Sequence, residues 1–259
     1  MLRVWLEAQP ILVIVLVVFG ITYLFAALVF VLVSIAPANW LHHFKQISSV
    51  TVTALAVVLG VLLGFLAARV WANYDRALLL VDQEAAALTA TLMFAETFPP
   101  EIKGRLRDAV LGYAKSVVED EWPAMARREV IAGVPSPPLR DALATVLGFT
   151  PTRPGEEIAQ KRAVVAIEEA IEARRSRITL SGINIHRIQW RVIMGLYALV
   201  IVTVAMVQAG NRVSTAIALF LVSSATATSF ALLLAYDHPL NTRGGAFVEP
   251  APLRELLTK

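Results

Sequence analysis

Cysteine is missing from the 259 residues of this chain. Its lack excludes a disulfide framework, a thiolate metal site and a cysteine nucleophile. Charged side chains are also scarce, at 17% of the residues, and the formal net charge is only +3. So small a basic excess is weak evidence for an anionic partner, and we predict no binding of nucleic acid.

The usual catalytic motifs are missing as well. The chain contains no GxSxG, Walker A or HExxH sequence. None of its histidines has a carboxylate or a second histidine at the helical spacing of metal ligands; they are His42, His43, His186 and His238. We therefore predict that the protein is not an enzyme and holds no catalytic residue, no metal and no cofactor.

Long apolar runs are what the chain has in abundance. Hydrophobic residues make up 57% of it, and the mean hydropathy is +0.66. The four runs are Ile11–Ser34, the stretch between Lys45 and Arg69, Ile193–Val207 with its flanks, and Val213–Tyr236. A bilayer's hydrocarbon core of about 30 Å needs about 20 helical residues, so we predict four transmembrane helices. For the first run we favour a retained helix over a cleaved signal peptide, because the run is too long for a signal sequence.

The second run continues beyond the membrane. No proline lies between Val50 and Phe98, so one helix can leave the bilayer and extend into water. Its second half has apolar residues at helical spacing, which predicts that this half buries one face on protein. Those residues are Leu78, Val81, Ala85, Leu88 and Leu92.

The segment between the second and third runs has the pattern of a helical domain. We predict helices at Glu101 to about Val130, Leu139–Leu147 and Glu156 to about Leu180, with loops at Gly133–Pro138 and Thr150–Gly155. The first of these helices has an apolar face of Ile102, Leu106, Val110, Tyr113 and Val117, and Pro123 can kink it. The apolar stripe of the last helix is predicted to be Ile158, Val165, Ile171 and Ile178.

The charges of this segment are predicted to be structural. Glu168, Glu169 and Glu172 precede Arg174, Arg175 and Arg177, which favours ion pairs along the helix or between helices over a di-iron site. Consecutive carboxylates at 119–121 spread over about 200° of a helix, which favours a solvated face over a cation site.

The chain is thus predicted to be an all-α integral membrane protein with four transmembrane helices and a cytoplasmic helical domain. Its predicted parts are 1–72 (transmembrane helices 1 and 2), 73–187 (cytoplasmic domain), 188–236 (transmembrane helices 3 and 4) and 237–259 (a cytoplasmic tail). Only Lys45 and Arg212 flank the spans on one side, whereas the other basic residues near span ends lie on the other. By the positive-inside rule both termini are cytoplasmic, and we predict a multi-pass protein of the cell's inner (plasma) membrane.

The sequence around the end of the second span resembles the bestrophin anion channels. Leu63-Gly64-Phe65 is followed by Arg69, Trp71, Asn73 and Tyr74, as in the family's helix that leaves the membrane. Asp237-His238-Pro239-Leu240 is similar to the family's element past its last span, and Glu119–Pro123 (EDEWP) is typical of a bacterial bestrophin-like group. Animal bestrophins hold calcium with acidic residues after the last span; here that place reads HPLNTRGG, so the calcium site is not carried over.

The resemblance implies a homo-oligomeric ion channel, pentameric and conducting anions such as chloride, with an axial pore lined by transmembrane helix 2. Its apolar neck would be Val57, Val61 and Phe65, or Thr53, Val57 and Val61 if the alignment is anchored on Trp71 and Tyr74. Its inner pore mouth would be Arg69, Asn73 and Tyr74. The implied partners are the lipid bilayer, further copies of the chain and small inorganic ions.

Two other interpretations stay open. The same fold could serve as a non-conducting membrane scaffold or sensor. The apolar side chains of Val57 and Val61 also have an ordinary explanation, which is packing against a neighbouring helix. Gly60 and Gly64 form a small-xxx-small pattern that suits such packing.

Overall fold

The computed structural model describes residues 10–37, 49–127, 136–240 and 246–258. These residues form two compact units. The first comprises the described residues within 1–72, 184–238 and 243–246, and the second those within 73–183, 239–242 and 247–259. All regular elements in the described part are helical. In chain order they are α1 (Ile11–Ser34), α2 (Ser49–Ala95), α3 (Pro100–Ser116), a π-helical turn (Val117–Glu121), α4 (Trp122–Ala126), α5 (Pro137–Leu147), α6 (Pro154–Ser181), α7 (Arg187–Val207), α8 (Arg212–Tyr236) and α9 (Ala251–Leu256).

The four predicted membrane spans are confirmed as helices of sufficient length and apolarity. They are α1, α2, α7 and α8. The turn between α7 and α8 is closed by Asn211, whose side-chain oxygen accepts hydrogen bonds from the backbone N–H groups of Val213 (2.9 Å) and Ser214 (3.3 Å). This cap satisfies N–H groups that the first turn of a helix leaves without partners.

Hydroxyl groups hold the membrane unit together at its centre. Tyr197 of α7 is buried, and its hydroxyl donates to the carbonyl of Thr22 in α1 (3.1 Å) and pairs with the Ser223 hydroxyl of α8 (3.2 Å). One side chain thereby joins three spans. Nearby, Tyr23 pairs with Ser224 (2.8 Å). In a bilayer, such bonds between small polar residues stabilise close helix packing.

The predicted apolar face of α3 is confirmed. Leu106, Val110, Tyr113 and Val117 are fully buried, and Ile102 is partly buried. The helical path does not stop at Pro123, and the kink that the sequence allows there stays a prediction. Proline has no N–H for the bond to the residue four before it, and the preceding N–H, that of Trp122, bonds five residues back to the carbonyl of Val117. The π-helical turn thus absorbs the proline, and the helical path continues to Ala126.

The predicted stripe of α6 is wrong for most of its members. Ile158 is 65% exposed, Val165 and Ile171 are also exposed, and only Ile178 is buried. The buried face is made of small residues, because alanine lets neighbouring helices approach closely. It consists of Ala159, Ala163, Ala166, Ala170 and Ala173, with Ile167 among them. Leu78 of α2, predicted to be buried, is likewise exposed, whereas Val81, Ala85 and Leu88 are buried as expected.

Three other boundaries differ from the predictions. The loops predicted to end at Pro138 and Gly155 end earlier, since α5 begins at Pro137 and α6 at Pro154; proline fits the first turn of a helix, where its missing N–H has no bond to make. The sequence predicts a cytoplasmic tail after α8, with turns at Pro250 and Pro252. Instead α9 forms there, and Val248, Leu253 and Leu256 are buried in the core of the second unit. The sequence also predicts a turn at Gly244-Gly245 and an interfacial turn in the link Pro37–Ser49. Gly244-Gly245 and residues 38–48 of that link lie outside the described residues.

Candidate functional site

One face of α2 in the membrane unit is buried and the opposite face is open. Leu59, Leu66 and Val70 pack into the apolar core of that unit. The predicted neck residues lie on the open side: Val57 is 58% exposed, Val61 51% and Phe65 71%. The structure therefore brings the neck residues together on a surface that no described residue of this chain covers. Thr53, the neck position of the other alignment, is exposed as well.

The three predicted residues of the inner mouth have different surroundings. Arg69 is exposed, and Asn73 is half-buried. Tyr74 is half-buried and packs against the apolar core of the second unit. At about 100° per residue, Arg69 and Asn73 follow one strip of the helix and Tyr74 another, and neither strip is that of Val57 and Val61. The assignment of these residues to a pore mouth stays a prediction.

The part of α2 that lies in the second unit also has an open face. Leu79 is 55% exposed and Met93 68% exposed, and the side chains of Asp75, Asp82 and Ala86 are exposed on the same side of the helix. Beside this face an open groove of about 610 Å³ runs between α2 and α6. Its walls include Gln83, Ala86 and Ala90 of α2 and Glu169 and Glu172 of α6.

Sequence reasoning missed a buried charge network at the centre of the second unit. It consists of Glu84 of α2, Tyr113 of α3, Glu121 of the π-helical turn, and Arg174 and Arg177 of α6. Arg177 donates from Nε to Glu84 Oε2 (2.6 Å) and from Nη2 to both Glu84 Oε1 (2.9 Å) and Glu121 Oε1 (2.7 Å). Arg174 donates from Nε to Glu121 Oε2 (2.8 Å), and the Tyr113 hydroxyl donates to Glu84.

The guanidinium of Arg177 makes two further contacts with protein groups. It lies over the ring of Trp122 at 5.1 Å from the centroid and donates to the sulfur of Met125 at 3.2 Å. Both Arg177 and Glu84 are fully buried. Two carboxylates and two guanidinium groups balance in charge, which is the condition under which buried ions are tolerated.

The electrostatics of the network follow from this burial. Burial alone lowers the pKa of Arg177, but the charge and hydrogen bonds of Glu84 outweigh it and raise the pKa above its usual value. Burial, followed by the negative charge of Glu84, raises the pKa of Tyr113 well above its usual value. Arg177 is therefore always charged and Tyr113 always neutral at physiological pH, so the network is a fixed clamp between α2, α3, the π-helical turn and α6.

A signal for this network was present in the sequence. Glu84 interrupts the predicted apolar face of α2, since it lies three residues after Val81 and four before Leu88. A charged residue at such a position needs a buried partner. The pairing between helices that the sequence indicated for the arginines of α6 is confirmed for Arg174 and Arg177, although their partners are Glu84 and Glu121 rather than the acids of α6 itself.

The segment Asp237-His238-Pro239 links the ends of the last two spans. Asp237 is buried, and its Oδ1 accepts a hydrogen bond from the backbone N–H of Ile185 (2.8 Å), just before α7 begins. This carboxylate therefore has a structural role, joining the end of α8 to the start of α7.

Comparison with known proteins agrees with this architecture. Residues 19–253 match the profile of the family described as Bestrophin-like domain. Among solved structures, a point mutant of a bacterial bestrophin homolog from Klebsiella pneumoniae is similar, with a TM-score of 0.71 at 12% identity over 94% of this chain and 96% of that one. Another structure of a bacterial bestrophin homolog from Klebsiella pneumoniae has a TM-score of 0.69 at 13% identity, over 92% and 95% of the two chains. No curated protein sequence matches the chain.

Proposed function

Because the chain belongs to the bestrophin-like family, a family of ion channels, we propose that it forms an ion channel from several copies of itself. In this proposal α2 of each copy faces a common axis, and the open face of its membrane part, with Val57 and Val61, lines the path of the ions. The predicted membrane location, the four spans and the all-helical fold are those that such a channel requires.

The observation that carries the proposal is the exposure of Leu79 and Met93 on α2. A helix of 47 residues is about 70 Å long at 1.5 Å per residue, more than twice the ~30 Å that lipid can cover. The apolar run of α2 ends at Arg69, and Leu79 and Met93 lie 10 and 24 residues beyond it in the sequence, outside the stretch that lipid can cover. Lipid cannot cover them there, whereas the α2 and α6 helices of a neighbouring copy can.

The groove beside this face supports the same arrangement. Four of its nine lining residues are alanine, and Glu169 and Glu172 also line it. Small alanine side chains admit the close approach of another helix, as the alanine face of α6 does inside this chain. A neighbouring copy seated in the groove would bury this surface, and the same contact would repeat between successive copies of a ring.

The narrow part of the proposed path is the neck of Val57, Val61 and Phe65. Aliphatic side chains offer no hydrogen bond to an ion or to water, so a narrow ring of them loses its water and blocks ions. The exposure of all three side chains in the single chain is what the proposal needs, because a pore lining must not be covered by its own subunit.

The finer features of the channel are part of the proposal. We take five as the subunit number, as the resemblance implies, and the positive-inside charge pattern supports a cytoplasmic location for both termini and for the second unit. Conduction of anions such as chloride is also implied by the resemblance, and Arg69, with Asn73 and Tyr74 beside it at the inner mouth, is the residue that supports it.

A non-conducting scaffold or sensor is the second candidate. The exposed Ile158 and Val165 favour it, because a pair of apolar residues two turns apart on the charged helix α6 suits a protein partner. Such a role would need no continuous path along α2.

Cross-linking and ion flux together test the proposal. The chain has no cysteine, so Leu79→Cys and Met93→Cys each introduce a single thiol on the open face of α2. We expect a short bifunctional maleimide to cross-link these variants into a series of oligomers (a ladder of bands on a denaturing gel) that ends at the size of the full ring. The exposed control Asp108→Cys on α3 should give far less cross-linked product. Purified parent protein in liposomes should release K⁺ or Cl⁻. A complete ladder without flux would favour the scaffold, and no ladder would contradict the ring.

A further inference from the structure

The membrane unit carries a pair of arginines at the start of α7. Arg187 and Arg191 lie four residues apart on this helix, directly before the uncharged run Val192–Val207. Residues at this spacing are neighbours on a helix surface, with Cβ atoms about 5–6 Å apart. Both side chains are exposed. The two guanidinium groups therefore share one face of α7, at the edge of the hydrocarbon core where lipid headgroups begin.

The exposed face of α7 continues from this pair as an apolar strip. Ile188, Val192 and Leu199 are all more than half exposed, and at about 100° per residue they lie within about 40° of one another around the helix. Arg191 lies about 60° from Ile188 on the same side. Another face of α7, which includes Ile193, is buried. Lipid chains that cover the apolar strip therefore bring their headgroups to the arginine pair.

The charge of the pair is not balanced within the described part of the chain. Among the described residues, the guanidinium groups of Arg187 and Arg191 have no ion pair and no hydrogen bond. The described residues of the membrane unit include one carboxylate, that of Asp237, which is buried and accepts from the backbone N–H of Ile185. Like charges one turn apart repel each other, so an anion between the two guanidinium groups would stabilise this end of α7.

The surroundings of α7 favour a lipid as the source of that anion. The membrane unit of a neighbouring copy would bring the same buried Asp237 and, among the described residues, no other carboxylate. A phospholipid brings a phosphate at the level of the pair together with chains for the apolar strip. Guanidinium groups bind phosphate oxygens through paired, charge-assisted hydrogen bonds. A headgroup with net negative charge suits the site best, because a zwitterionic headgroup carries a cation of its own.

We propose that Arg187 and Arg191 together bind the headgroup phosphate of an anionic phospholipid, whose chains lie along Ile188, Val192 and Leu199. The lipid is then a ligand with a defined place on α7. The inference does not depend on conduction, since the same site would serve a channel and a non-conducting scaffold alike.

Native mass spectrometry of the purified full chain tests the inference, because it counts and identifies the lipids that stay bound. From detergent micelles with equal amounts of phosphatidylglycerol and phosphatidylcholine, we expect the parent to retain mainly phosphatidylglycerol. Arg187→Gln/Arg191→Gln should lower the ratio of the two bound lipids at least about tenfold. Arg187→Lys/Arg191→Lys keeps both charges and should keep most of the preference. Arg212→Gln removes an exposed arginine at the start of α8 and should leave the ratio as in the parent.

An unchanged ratio in the glutamine double variant would overturn the inference. An equal fall in Arg212→Gln would also overturn it, because it would show a general attraction of charge. A lysine variant that loses as much as the glutamine variant would show that charge is not the cause.

Two further results would assign the pair to another ligand. Displacement of the lipid by inorganic phosphate, but not by chloride at equal ionic strength, would indicate a site for soluble phosphate. Loss of the parent's oligomer in the glutamine double variant would indicate a contact between copies. None of these readouts uses ion flux, so a protein that never conducts would contradict the proposed channel and leave the lipid site intact.

Discussion

Arg177 and Glu84 form a fully buried ion pair with two parallel hydrogen bonds, at 2.6 Å and 2.9 Å. The two residues lie 93 positions apart in the sequence and belong to α6 and α2. Tyr113 and Glu121 each add a hydrogen bond to the pair. The helix that we propose as the pore lining is therefore fastened to the rest of its unit by charge as well as by apolar packing.

Breaking this pair from one side should be costly. In Glu84→Gln the guanidinium of Arg177 loses most of its negative environment while remaining buried, and we expect a loss of about 3–5 kcal/mol of stability. Thermal unfolding in detergent, followed by tryptophan fluorescence, should show a large drop in Tm. The matched control is Arg105→Gln, which removes the exposed pair with Glu101 and should change stability by less than about 1 kcal/mol. Equal effects of the two substitutions would contradict the clamp role.

Acid should weaken the start of α6. The carboxylate of Glu156 accepts hydrogen bonds from the backbone N–H of Thr152 (2.8 Å) and from Nε of Arg153 (2.8 Å), and these bonds lower its pKa from 4.5 to about 2. A lowered pKa means that the stabilisation is complete above pH 4.5 and is lost as the pH falls towards 2. We expect Glu156→Gln to have a lower Tm than the parent at pH 7, with a difference that shrinks between pH 4.5 and pH 3. A difference that stays constant over this range would show that the ionised carboxylate is not responsible.

The hydroxyl of Tyr197 should stabilise the membrane unit without changing its shape. Tyr197→Phe removes the bonds to Thr22 and Ser223 but keeps the ring contacts with Phe25 and Phe230, both at 5.8 Å. We expect a loss of about 0.6–2 kcal/mol. Ser223→Ala should cost a similar amount, and the double variant should cost less than the sum, because the two hydroxyls share one bond.

Ser229→Ala is the control for this pair. Ser229 is half-buried on the same helix as Ser223, and among the described residues its hydroxyl donates to the carbonyl of Ala225, four residues before it on that helix. Its removal should leave the Tm unchanged. Strictly additive effects of Tyr197→Phe and Ser223→Ala would refute the shared bond.

Much of the fold was predictable from local pattern. The four spans, the continuous helix α2 and the buried face of α3 follow from apolar length and helical spacing, which act within one segment of chain. The neck at Val57 and Val61 came from a resemblance, and the exposure of these residues is compatible with it, but their pore role stays a prediction.

What could not be predicted depends on contacts between distant segments. The core face of α6 is made of alanine, whereas hydrophobicity alone predicts the larger Ile158 and Val165. Alanine is buried there because the neighbouring helices pack closely against α6. The sequence pattern of one helix does not contain this closeness. The partners of Arg177 come from α2 and the π-helical turn, and nothing local connects them. The π-helical turn arises because Pro123 has no N–H and the backbone hydrogen bonds before it shift by one residue. From the sequence we predicted only that Pro123 can kink the helix.

The last prediction separates a pore lining from a lipid-facing or packed surface. Val57→Ala/Val61→Ala shortens two side chains on the open face of α2. If the α2 helices of several copies surround a path, the change is repeated in every subunit and widens the neck. A wider aliphatic ring holds water more readily and lets ions pass, so we expect higher ion flux from liposomes than for the parent, with Val61→Ala alone giving an intermediate increase. Thermal stability should change little, because both residues are more than half exposed in the chain.

Val31→Ala is the matched control for this double variant. Val31 has the same side chain and is 51% exposed, but it lies on α1, outside the helix that is proposed to line the path. A general loosening of the membrane helices would raise flux in this variant too, whereas widening of the neck would not. If Val57 and Val61 instead pack against a neighbouring helix, their truncation leaves cavities and lowers the Tm without opening a path. Unchanged flux from correctly assembled Val57→Ala/Val61→Ala protein would therefore exclude the neck assignment and favour the scaffold.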